Sequence, residues 1–138
     1  MFAYVVAYIG AAVVFCLMDF VWLAVIAKNF YHNRVGSLML INPQVVPAAA
    51  FYILYLLGLL IFAIIPGLRA QNLLVAASMG AFLGLIAYAC YDLTNLATLK
   101  GWSLSLTLVD IAWGILVSTI ASSAGFLVAN IFNKAIAH

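Results

Sequence analysis

From Phe2 to Ala27 the chain reads FAYVVAYIGAAVVFCLMDFVWLAVIA, an apolar run whose one charged residue is Asp19 and which ends at Lys28-Asn29. An α-helix rises about 1.5 Å per residue, so about 20 mostly apolar residues cross a bilayer core. The run therefore predicts a transmembrane helix. It is too long for the apolar region of a signal peptide and no lysine or arginine precedes it, so it is expected to stay attached as a true span. Three further apolar runs follow, at residues 45–65, 72–98 and 103–131. The expected fold is all-α and integral to the membrane: an antiparallel four-helix transmembrane bundle in which residues 1–138 form a single four-span domain. Composition agrees, with 70% hydrophobic and 6% charged residues over 138 positions and a mean hydropathy of +1.29, far from soluble domains. Four spans and their turns leave no length for a separate soluble domain.

The junctions between runs carry their own signals. Residues 28–42 form the longest connection and place Tyr31, Val35, Leu38 and Met39 on one helical stripe, as in a short helix lying at the membrane interface. Gly36 argues against an unbroken helix there. Asn42-Pro43 and Pro47 mark the start of the second span, where proline is tolerated in the first turn. Pro66-Gly67 is expected to end that span at Ile65. Lys100-Gly101-Trp102 closes the third, with Trp102 as an interface anchor. Lys134 and His138 are read as a short tail.

With four spans both termini share one membrane face, and the first and third loops share the other, called here the loop face. The loop face carries Lys28, Arg34 and Lys100, and the terminal face carries Arg69, Lys134 and the N-terminal amine. The two faces are nearly balanced, with a slight preference for a cytoplasmic loop face. A net charge of +2 from five scattered basic residues offers no patch for nucleic acid, which is excluded as a partner. Cys16 and Cys90 lie inside apolar runs and read as reduced, structural thiols.

All three acidic residues, Asp19, Asp92 and Asp110, fall within the spans. Counting from the loop-face ends places each of them roughly 10 to 13 Å inside the same leaflet. A charge at that depth is disfavoured by about 2.5 to 3.5 kcal/mol on insertion scales. Helical spacing suggests partners. Tyr88, Asp92 and Asn95 share a face of the third span, continued by Gly80 and Gly84. Asp110 heads the line Gly114, Ser118, Ser122 on the fourth, where small residues permit close helix approach. Asp19-x-x-Trp22 and Asp110-x-x-Trp113 repeat one element on helices of opposite direction. Tyr52 and Tyr55 enter from the loop face on the acid-free second span and can donate phenolic hydrogen bonds.

The stretches MDFVWLAVI (18–26), YDLTNLATLKGW (91–102) and LVDIAWG (108–114) resemble a family of small bacterial membrane proteins catalogued as domain of unknown function 2177. The resemblance runs from Asp19 to about Gly125. It implies a four-span inner-membrane protein and supplies no chemistry.

Three functional readings stand beside the plain one, in which the aspartates are interhelical glue for a structural assembly partner. The leading reading is a site for protons or a small polar or cationic ligand. It is formed by Asp19, Asp92 and Asp110 with Asn95, Tyr88, Tyr52, Tyr55, Trp22 and Trp113 around them, and with His32 and Arg34 as gating or headgroup contacts. No basic residue lies within the spans, so the acids hold protons, bind a cation or recruit Arg34 or His32, and each option makes the site pH-sensitive. The second reading is a membrane-embedded lipid-modifying enzyme, or an accessory subunit of one, with the three aspartates as acid, base or ligands for a hard divalent cation. Against it stand the lack of a nucleophile with a base beside it and the lack of histidine clusters; no cofactor is expected beyond that cation. The third reading is assembly, as a homodimer or with another membrane protein, through the small-residue faces, for which internal packing is the simpler use. The lipid bilayer itself is the one partner all readings require.

Overall fold

The computed structural model describes residues 2–136 and is helical apart from short connections, with four helices among these residues long and apolar enough to cross a membrane: Phe2–Ile26, Val45–Ala70, Leu73–Thr98 and Leu104–Ile136. These are the first to fourth spans of an all-α membrane bundle. The fourth is the central element, packing along its length against both the first and the third. The second joins the bundle mainly through its later part, Leu60–Ala70, and stands apart from the third over Val45–Leu59.

Backbone proximity explains the central pairing. Gly80 lies against Ser122, and a Cβ there would come within 2.8 Å of the Ser118 carbonyl oxygen. A Cβ on Gly84 would meet the Ser118 Oγ at 2.7 Å, and the Tyr88 ring occupies the space beside Gly114. Each of these pairs belongs to one antiparallel register. Gly125 does the same against the first span, where a Cβ would sit 2.8 Å from the Ala7 carbonyl oxygen. In a bilayer, lipid chains are as apolar as leucine, so helices associate by such close van der Waals contact. The small-residue faces singled out in the sequence are thus consumed inside the bundle.

Several boundaries differ from the sequence reading. The second span continues through Pro66 to Ala70, because a wide π turn at Leu60–Ile64 directly precedes it. Widening the helix there gives the proline ring room and removes the demand for its missing N–H. The helix then closes at Gln71, whose left-handed φ of 51° turns the chain, and Asn72 caps the third span by accepting the Leu74 N–H at 2.9 Å. Lys134 belongs to the fourth helix, which runs to Ile136 rather than stopping at residue 131. His138 lies outside the described residues. The connection after the first span is helical only over Lys28–Val35, followed by a 3-10 turn at Gly36–Leu38. Leu38 and Met39 therefore leave the stripe and are exposed. Cys16 and Cys90 are free thiols on outward faces.

Candidate functional site

A second π turn, Trp22–Ile26, ends the first span and is closed by the Ala27 N–H donating to the Trp22 carbonyl at 2.7 Å. The turn sends the chain back over the bundle, so that Tyr31 of the short helix reaches inward. Its hydroxyl donates to Asp110 and accepts from the Trp22 indole N–H at 3.2 Å. On the other side of the same layer, the Trp113 indole N–H donates to Asp19 at 3.2 Å and the Tyr52 hydroxyl donates to the second Asp19 oxygen.

The two Asp-x-x-Trp elements are therefore interlocked. Trp22 and Trp113 stack face to face, with ring centroids 4.4 Å apart and planes 6° from parallel. Each indole serves the acid of the opposite helix, Trp113 directly and Trp22 through Tyr31. The register that sets Ala7 beside Gly125 also sets Asp19 opposite Trp113 and Trp22 opposite Asp110.

Asp19 and Asp110 are buried, at 6% and 8% exposure, and both line a cavity of about 560 Å³. Its remaining wall is mostly aromatic: Trp22, Tyr31, Phe51, Tyr52, Tyr88, Tyr91 and Trp113, with Leu23, Ala48 and Ala87 between them. That volume lies within the usual range for small-molecule sites, about 300–1,000 Å³. Tyr55 stands behind this wall, sharing a 2.7 Å hydrogen bond with Ser118 and meeting the Tyr88 ring edge-on at 6.3 Å.

Asp92 is placed differently. It is fully buried, lies outside the cavity wall, and neither carboxylate oxygen has a hydrogen-bond partner among the described residues. The register pairing Gly80 with Ser122, Gly84 with Ser118 and Tyr88 with Gly114 sets it opposite Asp110 on the interface of the third and fourth spans. An ionised carboxylate so placed is costly to bury. Asn95 is half-buried one turn further on and gives Asp92 no hydrogen bond.

Neither Arg34 nor His32 reaches the acids. The Arg34 Nε donates to the Ser105 Oγ at 3.0 Å, its Nη1 donates to the Phe30 carbonyl at 3.3 Å, and its guanidinium lies 3.7 Å from the Phe30 ring centroid. Arg34 thus fastens the short helix to the start of the fourth span. His32 is exposed. Among the described residues no three His, Cys, Asp or Glu side chains gather closely enough to hold a metal ion.

Sequence reasoning missed Tyr31, Phe51 and Tyr91 as wall residues. Tyr31 had a signal: a phenol on the apolar stripe of the segment that follows an acid-bearing span. Phe51 and Tyr91 had none beyond neighbouring Tyr52 and Asp92.

A bundle of four helices long and apolar enough to cross a membrane defines a polytopic membrane protein. The family described as a predicted membrane protein, domain of unknown function 2177, matches residues 4–127, and the chain belongs to it. No curated protein and no solved structure matches the chain.

Proposed function

We propose that the protein binds a small cationic ligand in the loop-face leaflet, with Asp19 and Asp110 as charge partners and the surrounding rings as walls. The observation that carries this reading is the pairing of two buried carboxylates in one aromatic cavity where all their hydrogen-bond donors are neutral: Tyr31, Tyr52 and Trp113. Such donors hold the carboxylates in place and leave their charge uncompensated. A cation supplies that compensation, and ring faces attract it further, by about 0.5 kcal/mol when exposed to about 2 kcal/mol when desolvated. An anion finds nothing complementary here. Asp92, opposite Asp110 and without a donor, gives the same layer a position for a proton, which would couple cation binding to proton release.

The test is a titration of the protein in lipid nanodiscs with tetramethylammonium, followed by tryptophan fluorescence, since Trp22 and Trp113 stand in the wall. A saturable change is expected, weakened about tenfold in Asp19→Asn, a loss of about 1.4 kcal/mol. Identical titrations for the wild type and the variant would sink the reading. On the same reading the chain sits in the bacterial inner membrane with Lys28, Arg34 and Lys100 toward the cytoplasm. A cysteine substituted for Lys100 should then resist an impermeant thiol reagent added to intact cells, and ready labelling would reverse that orientation.

A further inference from the structure

The cavity has an inner end and a mouth of different chemistry. At the inner end are the two carboxylates, capped toward the loop face by Tyr31, which is held by Trp22 and by the Arg34–Ser105 anchorage of its helix. The mouth is the side on which Ala48 and Phe51 of the second span and Tyr91 of the third are exposed along the lining. The loop-face halves of these two spans stand apart because the second span is joined to the third chiefly through Leu60–Ala70, where Gly67 lies against Ala76. Ala48 and Ala87 do not fill the gap, and the rings of Phe51 and Tyr91 flank it at 44% and 59% exposure. At this depth the surroundings are acyl chains rather than water.

From this division we infer that the natural ligand is an amphiphilic organic ammonium, whose charged head lies between Asp19 and Asp110 and whose apolar body leaves through the mouth into the bilayer. The inference rests on the cation-binding reading and narrows it. A hydrated inorganic ion would have to shed its water against a mostly aromatic wall that offers two carboxylates in place of the hydration shell. An ammonium bearing alkyl groups carries little hydration to lose and matches ring faces. A chain attached to it meets lipid at the mouth, so it need not fold into the cavity. A ligand confined to water would leave the lipid-facing gap without a use.

The test is photolabelling in nanodiscs with dodecyltrimethylammonium carrying a diazirine at the chain terminus, kept at a low mole fraction of lipid. Labelled peptides should cluster on the segments around Phe51 and around Ala87 to Tyr91. Excess tetramethylammonium should remove at least roughly nine-tenths of that label by occupying the inner end. Asp19→Asn and, independently, Asp110→Asn should lose the label while keeping their helicity and elution volume. Label spread over all four lipid-facing surfaces, or label on those segments that neither competitor nor substitution removes, overturns the inference. If tetramethylammonium alone still gives the saturable fluorescence change, cation binding stands and only the amphiphile falls. If neither probe binds, both readings fall together.

Discussion

Toward the terminal face, Gly67, Gly80, Gly84 and Gly125 bring backbones so close that a Cβ would collide with its neighbours. Toward the loop face, Trp22, Tyr31, Phe51, Tyr52, Tyr88 and Trp113 hold the helices around an open space. The contrast follows from the solvent. In lipid there is no hydrophobic drive to close a gap between helices, so a cavity persists wherever side chains are bulky and rigid. It persists only if the helices are joined elsewhere. The glycine-rich half supplies that junction, and the aromatic half is then free to hold two carboxylates in a defined place. Stability and binding are thus expected to separate along the membrane normal.

Substitutions should reveal that separation, and the largest effect belongs to the tight half. Gly84→Ile drives a side chain into the Gly114 backbone and the Ser118 hydroxyl. Backbone cannot yield as a side-chain tip can, so a loss on the order of 3 kcal/mol or more is expected, read as early aggregation on heating in detergent. A variant as stable as the wild type would break the comparison at its base. Next comes Asp19→Asn in the aromatic half, which keeps the shape and one acceptor for Trp113 while removing the charge. Its fold should survive by circular dichroism and its cation response should fall about tenfold. Tyr31→Phe should cost less. It deletes the hydroxyl that links Trp22 to Asp110, with a loss of about 1 kcal/mol, visible as a few degrees in melting temperature and a modestly weaker titration. Ser122→Ala is the smallest change: its hydroxyl bonds to carbonyls of its own helix at 2.7 and 3.1 Å, so stability should stay within about 0.5 kcal/mol. A larger fall would mean that the Gly80 contact depends on that oxygen.

Much of this contrast was legible before any coordinates. Hydropathy gave four spans, and counting from their ends put Asp19, Asp92 and Asp110 in one layer. Helical spacing put Gly80 and Gly84 on the face that meets the fourth span. Spacing says which way a residue points on its own helix and nothing of what stands across from it. For that reason the exchange of indoles between the two Asp-x-x-Trp elements could not be read. Nor could the separation of Asp92 from the cavity wall, although it shares a layer with the other two acids. The π turns add a second obstacle, since an extra residue per turn rotates every later side chain out of the expected phase. Trp22–Ile26 brings Tyr31 over Asp110, and Leu60–Ile64 carries the second span past Pro66. Local periodicity has no term for either.

The central claim is that Asp19 and Asp110 form one cation site in a half of the bundle that the other half holds together. Its most direct test is thermal unfolding in nanodiscs with and without tetramethylammonium, for the wild type and for the Asp19→Asn variant. A ligand bound by the folded state alone stabilises it, by about 2.7 kcal/mol at a hundredfold excess over its dissociation constant. The melting temperature of the wild type should therefore rise with tetramethylammonium while that of Asp19→Asn stays fixed. A wild-type protein that does not respond, or a variant that rises equally, would contradict the account.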